Sequence, residues 1–319
     1  MSKIPIVAAC DDNYVQHLAV MLCSLLENTK KKHLIQINII DGGISQDNKH
    51  KINNFIQNKY DTDIRYLKID HKIYNQFPIS YHFTHTIYYR ISIPLLFDSS
   101  VDKVLYLDSD IIVKDDITKL WDIDLSNYFL AAVESPNVKR NYCDLNMPEN
   151  SKYFNSGVLL INLQKWRQHN ITEKTIEFIA NNQDKITWWD QDSLNSVLCN
   201  KWLPLPLRWN QQSSFFEQKS YLQNKNNPDF IDAINNPAII HFSSLRKPWE
   251  YISRHPHKKE YFYYLSLTPW QDFKPKVNLI IYLENIIRNY LPRPFFEVIK
   301  CIYRNMITKK QDSKEIYIE

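Results

Sequence analysis

Over residues 4–69 the apolar positions switch rhythm repeatedly. Ile4 to Ala9 is an unbroken apolar run that stops at Cys10-Asp11-Asp12-Asn13, the pattern of a buried strand entering a polar turn. Between Tyr14 and Glu27, Leu18, Met21, Leu22, Leu25 and Leu26 recur at helical spacing. Leu34 to Ile40 returns to strand and ends at Asp41-Gly42-Gly43. Ser45 is placed to cap a helix reaching Lys59, and Ile64 to Ile69 makes a third strand. Strands and helices in this alternation predict parallel strands joined by crossover helices.

Further along, His85 to Phe97 reads as helix, and Val101 to Leu107 as an apolar strand running into Asp108-Ser109-Asp110. Phe129 to Val133 and Val158 to Asn162 are strand-like. Leu163–His169, Thr172–Asn182 and Asp190–Leu198 are helical. After Leu203 the chain turns rich in Pro, Asn and Gln and predicts a loop-heavy stretch, with one more short strand at Ala238 to Phe242. From Pro275 the pattern changes again. Leu279, Ile280, Leu283, Ile286 and Ile287 suggest one helix, Pro292 and Pro294 break it, and Phe295 to Met306 suggests a second.

Composition sharpens this picture in three ways. The chain of 319 residues holds only three glycines, Gly42, Gly43 and Gly157, where average usage would give about 22. No G-x-G-x-x-G fingerprint, P-loop or G-x-S-x-G elbow can be written, so phosphate handling would need another source of positive charge, such as a metal ion. The five cysteines, Cys10, Cys23, Cys143, Cys199 and Cys301, are scattered and odd in number, which argues against a disulfide framework and for a reducing cytoplasm. No apolar run approaches ~20 residues, so neither signal peptide nor spanning helix is predicted.

The net charge of +4 is unevenly placed. Residues 271–319 carry nine Lys/Arg against six Asp/Glu, which leaves the body nearly neutral and argues against nucleic-acid binding.

The chemistry concentrates at Asp108-Ser109-Asp110. A strand delivers both carboxylates at its carboxyl end, where open α/β sheets hold ligands, and alternation points Asp108 and Asp110 the same way. Two such carboxylates repel unless a cation lies between them, and a hard divalent ion suits the pair; the bare spelling also suits a solvated turn. His241 ends another short strand. It reads either as a hydrogen-bonded structural histidine or as a third ligand, completing an O,O,N set that suits Mn²⁺ better than Mg²⁺. Lys247 nearby is either a solvated loop lysine or a point charge for phosphate.

Five segments in order carry a resemblance: Ala9 to Tyr14, Leu107 to Asp110, Phe154 to Asn162, Asp190-Gln191-Asp192, and His241 to Trp249. Together, across residues 4 to 270, they resemble family 8 retaining glycosyltransferases, the group of bacterial lipopolysaccharide galactosyl- and glucosyltransferases and glycogenin. One position departs: many members carry glycine where this chain has Ser244, which bears on how closely the backbone there can approach phosphate.

The resemblance implies a GT-A type α/β fold, with a single Rossmann-like, mostly parallel sheet flanked by helices and a C-terminal helical extension. It implies a domain over 1–270 and a tail over 271–319. Ala9, Asp11, Asn13 and Tyr14 would meet the uridine of a UDP-sugar. Asp108 and Asp110 with His241 would hold Mn²⁺, or Mg²⁺ as second choice, against the diphosphate, with Ser109, Ser244 and Lys247 beside it. Arg90, Asn155, Ser156 and Asp190 would line the donor sugar. Gln191 would lie beside the anomeric carbon.

An amide is a poor nucleophile, so front-face attack is the expected mechanism, with Asp192 the fallback nucleophile of a double displacement. The expected partners are a UDP-hexose and a glycan or glycolipid acceptor, lipopolysaccharide among them. Glu134 to Asn150 and Arg208 to Phe230 are expected to shape the acceptor site. The basic, amphipathic stretch 275–310 suggests an anionic membrane surface on the cytoplasmic side. The competing reading is a membrane-associated nucleotide-sugar binder without transfer activity.

Overall fold

The computed structural model describes residues 3–79, 84–135, 142–277 and 281–282. The expected tail, and the membrane reading of residues 275–310 with it, lie outside the described residues beyond Val277 apart from Ile281 and Tyr282. Among the described residues no helix is long and apolar enough to cross a membrane.

The chain begins with β1 (Ile4–Cys10), α1 (Val15–Asn28), β2 (Ile35–Asp41), α2 (Gln46–Tyr60) and β3 (Ile64–Leu67). Ser45 caps α2, its hydroxyl accepting from Asn48 N at 3.3 Å. The predicted helix over 85–97 is instead a 3-10 segment, His85–Ser92, followed by the single turn α3 (Ile93–Leu96). Pro94 has no N–H to bond back to Arg90, so a continuous α-ladder cannot cross it.

Next come β4 (Lys103–Leu107), β5 (Ile111–Val113), α4 (Thr118–Trp121) and β6 (Leu130–Glu134). They are followed by β7 (Phe154–Asn162), α5 (Leu163–Gln168), α6 (Ile171–Asn181) and α7 (Trp189–Val197). β7 starts earlier than its apolar letters predict, because Asn155 and Ser156 are buried with hydrogen-bond partners. The last part adds β8 (Trp202–Leu205), β9 (Gln211–Gln212), α8 (Gln218–Asn224), α9 (Pro228–Asn235), β10 (Ile239–His241) and α10 (Lys258–Ser266). The stretch expected to be loop-heavy thus contains helices. Asn227 caps α9 through Asp229 N and Pro228 occupies its first turn, a start signal hidden among polar letters.

The main sheet has the order β3-β2-β1-β4-β7-β6-β8. β1 pairs in parallel with both β2 and β4, while β7 runs antiparallel between β4 and β6. Successive residues on β4 serve opposite faces. Leu105 and Leu107 pack with α1, and Val104 and Tyr106 with the layer that includes Tyr88, Ile91 and Trp166. Burial on both faces explains why these strands read as unbroken apolar runs.

A second sheet, β5-β10-β9, joins the single sheet expected from the sequence. Its strands are two or three residues long; β10 falls within the strand expected at Ala238 to Phe242, while β5 and β9 are too short to read from periodicity. Ile112, Ile240 and Phe242 pack there with Val20, Cys23, Tyr261 and Leu265.

The topology fixes where a ligand can bind. The chain leaves β1 toward β2 and β3, then returns to lay β4 on the other side of β1. The carboxyl ends of β1 and β4 therefore flank a switch point, the crevice where open α/β sheets bind ligands. Asp11 follows one strand and Asp108 the other.

Behind this crevice His17 is buried on α1, stacked on Trp249 at 3.5 Å between ring centroids and bonded through Nδ1 to Tyr261 Oη at 2.7 Å. Burial lowers its pKa to about 3. The unfolded chain takes up this proton near pH 6.5, so stability should fall as pH drops from 6.5 toward 3, by about 1.4 kcal/mol per pH unit. Urea unfolding between pH 7 and 5 is expected to show this slope in the native chain. His17→Phe, which keeps a ring against Trp249, should lose that share of it; an equal slope in both would disprove the assignment.

Candidate active site

Arg90, 4% exposed, lies at the centre of the cleft wall. Its Nη2 meets Asp108 Oδ1 at 2.9 Å and its Nε meets Asp190 Oδ2 at 3.1 Å. Its Nη1 donates to the Ser156 carbonyl at 2.5 Å, and the guanidinium lies over the Tyr106 ring at 4.5 Å. Burial alone would lower the Arg90 pKa, but Asp108 and Asp190 outweigh it and raise the pKa above the ordinary value. Burial pushes the Asp190 carboxyl up to about 6; Arg90 opposes that shift and Asp108 adds to it.

Asp110 faces Lys247. The ammonium Nζ lies 2.6 Å from Asp110 Oδ2 and also donates to the Phe242 carbonyl at 2.7 Å. Burial would raise the Asp110 carboxyl, yet Lys247 and His241 hold it well below the usual carboxylate range.

His241 Nε2 lies 3.3 Å from Asp110 Oδ1 and 3.8 Å from Asp108 Oδ2. One ligand atom from each of these three residues falls within 4.8 Å of the others. Two carboxylates and an imidazole around one point form a donor set that fits a divalent cation, Mn²⁺ included. The space is kept by Gly157. A Cβ there would run into His241 Cε1 and lie 2.7 Å from Asp108 Oδ2.

These residues line a cleft of about 800 Å³, together with Asn155, Ser156, Asp190, Gln191 and Ser244. Ser135, Gln212, Ser214, Glu217, Lys219 and Ser220 line it too, so part of the stretch 208–230 reaches the cleft. Of the loop 134–150, residues 136–141 lie outside the described residues.

A smaller cavity of about 110 Å³ adjoins at Ile87, Arg90, Asp108 and Asp110, lined also by Ala9, Asp11, Tyr14 and Ser109. Asp11 is buried. Its Oδ1 accepts from Asn13 N and its Oδ2 from Thr84 Oγ1. Asn13 is exposed and lines neither cavity.

The start of α7 supplies the opposite wall. Trp189 has φ 37°, a left-handed conformation costly for a residue with a side chain, and Asp190 and Gln191 follow it into the cleft. Gln191 Oε1 accepts from Asn155 Nδ2 and Ser156 N, both at 3.0 Å, and its Nε2 donates to Tyr153 Oη at 3.1 Å.

Asp192 does not meet the expectation of a fallback nucleophile. It is fully buried and lines neither cavity. Its Oδ1 accepts from Tyr153 Oη at 2.6 Å, and its Oδ2 accepts the N–H of Thr187 and of Trp188. A carboxylate so enclosed has no open path to a sugar carbon.

Sequence reading missed Tyr106, Thr84 and Asn210. Tyr106 was legible, because it precedes Asp108 by two strand residues and shares its face; its hydroxyl donates to Asp108 Oδ1 at 2.9 Å. Asn210 sits among Gln and Pro with no local signal.

A family model described as glycosyl transferase family 8 matches residues 5–253. General stress protein A of Bacillus subtilis is 38% identical over 278 residues, which cover 86% of this chain and 97% of that one. Lipopolysaccharide 1,3-galactosyltransferase of Salmonella typhimurium is 28% identical over 280 residues, 84% of this chain and 79% of that one. The crystal structure of the galactosyltransferase LgtC with donor and acceptor sugar analogs superposes with a TM-score of 0.75 at 27% identity, covering 87% and 98% of the two chains. The architecture is therefore of the GT-A type expected from the sequence.

Gly157→Ala tests the cradle. The added methyl must displace His241 or Asp108, so the Kd for Mn²⁺, read by calorimetry, should rise at least about tenfold. An unchanged Kd would mean that the two ligands do not need this space.

Proposed function

This chain belongs to glycosyl transferase family 8, and from that premise we propose that it moves glucose or galactose from a UDP-sugar to a glycan acceptor with retention at the anomeric carbon. The observation that carries this reading is the convergence of Asp108, Asp110 and His241 beside Lys247 at the β1–β4 switch point. These three residues would hold the divalent ion, Mn²⁺ by preference, and bound there it supplies Lewis-acid charge for a diphosphate leaving group.

The chain's own residues account for the rest. Ala9, Asp11, Tyr14 and Ser109 form the small cavity that suits uridine, with Asn13 holding the turn through its backbone N–H. Lys247 is a buried cation that can share its charge between Asp110 and the departing diphosphate. Ser244 stands at the same end of the cleft, its hydroxyl turned to the Arg246 carbonyl at 2.8 Å and its backbone left for phosphate. Asp190, Asn155 and Ser156 offer acceptors and donors for sugar hydroxyls.

By its family position Gln191 would stand beside the anomeric carbon, where double displacement would need a carboxylate nucleophile. Its oxygen already accepts two hydrogen bonds, which withdraws electron density from an already weak nucleophile. Front-face attack follows. The acceptor oxygen bonds to the anomeric carbon on the side from which the diphosphate departs, the carbon–phosphate-oxygen bond breaks, and the acceptor proton passes to that phosphate oxygen. Asp192 supports this wall by fixing Tyr153 and the turn at Thr187.

The relative named for galactose transfer to lipopolysaccharide supports a cell-surface glycoconjugate as acceptor. We assign the catalytic domain to residues 1–270 and place the enzyme in the cytoplasm, with the basic tail 271–319 held against the inner face of the membrane. That arrangement brings a lipid-linked acceptor to the cleft.

A panel of UDP-sugars incubated with the chain in Mn²⁺ or EDTA tests the reading through released UDP. Release from a single UDP-hexose, abolished by EDTA and by Asp110→Ala, is expected. Lys247→Met should lower kcat by roughly 100-fold, the scale of losing one charge-stabilising group. UDP–Mn²⁺ binding without transfer to any glycan would favour the silent binder, and absence of UDP binding would refute both.

A further inference from the structure

The tautomer of His241 is set from a distance, and backbone groups set it. The Gly157 N–H donates to Asn155 Oδ1 at 3.0 Å, so that atom of Asn155 is the oxygen. Independently, Asn155 Nδ2 reaches Gln191 Oε1, which is fixed as an oxygen by the Ser156 N–H at 3.0 Å. Asn210 meets the same Asn155 Oδ1 at 2.8 Å and must do so with its NH₂ group. Its own oxygen is thereby turned to His241 Nδ1 at 2.9 Å. A carbonyl oxygen can only accept, so Nδ1 carries a hydrogen, and whenever the ring is neutral its lone pair is on Nε2, facing Asp108 and Asp110.

A lone pair aimed at two carboxylates is unfavourable on its own and favourable around a cation. Asn210 is fully buried, lines neither cavity and so does not meet the substrate. We propose that Asn210 is a positioning residue that holds His241 in its metal-ready tautomer and orientation. Through Asn155 it ties that ligand to the Gln191 amide on the opposite wall. The inference rests on the metal reading given above, and adds to it a residue outside the ligand set.

Two substitutions separate acceptor from shape. Asn210→Asp keeps an oxygen for His241 Nδ1, whereas Asn210→Leu fills similar space with no acceptor. Mn²⁺ binding to the full chain, measured by electron paramagnetic resonance of the free ion, is the readout, with UDP binding in EDTA as a check that the cleft is intact. Asn210→Leu should raise the Kd for Mn²⁺ about 10- to 100-fold, and Asn210→Asp, which keeps the acceptor for Nδ1 but sets its second oxygen against Asn155 Oδ1, should lose less than Asn210→Leu.

Native affinity in Asn210→Leu would overturn the assignment while leaving the metal site standing. If Asn210→Leu does not fold, the ring ¹⁵N shifts of His241 in the native chain decide: a hydrogen on Nδ1 is expected, and a bare Nδ1 with a protonated Nε2 would overturn the assignment. Failure of the native chain to bind Mn²⁺, with or without UDP, would overturn both readings.

Discussion

Asp108 and Asp190 arrive at the cleft from separate elements, one from the end of β4 and the other from the first turn of α7, and the Arg90 guanidinium spans them. Asp190 is buried and Asp108 half-buried, and without the cation between them their charges would repel; removing Arg90 would leave the Asp190 carboxylate buried and uncompensated at a cost of about 3–5 kcal/mol. Arg90 also donates to the Ser156 carbonyl, which ties the same cation to β7. Three elements are thus registered against one planar group whose donors point in fixed directions. The positions of Asp108, a candidate metal ligand, and of Gln191 follow from that registration.

The scarcity of glycine makes sense beside it. Gly157 is spent where a Cβ would strike His241, and Gly42 where one would lie 2.8 Å from the Cys10 carbonyl at the end of β1. Neither builds a phosphate-cradling loop. In the proposed reaction positive charge takes over that task, from Lys247 and from the cation that Asp108, Asp110 and His241 would hold. Trp249 keeps Lys247 in place, because the Lys247-Pro248-Trp249 segment is pinned to α1 by the stack on His17. A histidine held neutral by burial is suited to that role, since a second cation near Lys247 would be repelled.

Much of this was legible in the sequence. Buried parallel strands such as β1 and β4 announce themselves as apolar runs, and the acids that follow them fall at the carboxyl ends by topology alone. The segments from Asp11 to His241 carry the family resemblance because their side chains converge. What escaped detection depends on contacts across the chain. β5 and β9 are too short to have a period. α8 and α9 bury few apolar residues and look like loop. Asn210 matters through His241 and Asn155, neither of which is near it in sequence. Asp192 looked equivalent to Asp190 in the letters, yet α7 turns it inward to Tyr153 and the turn at Thr187.

The same inward contacts explain why an amide stands at position 191. The Tyr153 hydroxyl has one hydrogen, and it is committed to Asp192 Oδ1 at 2.6 Å. Tyr153 must then accept from its other neighbour, and Gln191 Nε2 is the donor at 3.1 Å. A glutamate there would set a carboxylate oxygen against a phenol oxygen with no hydrogen left between them, beside the charges of Asp108 and Asp190. The network therefore favours the neutral side chain, in keeping with the front-face attack proposed above.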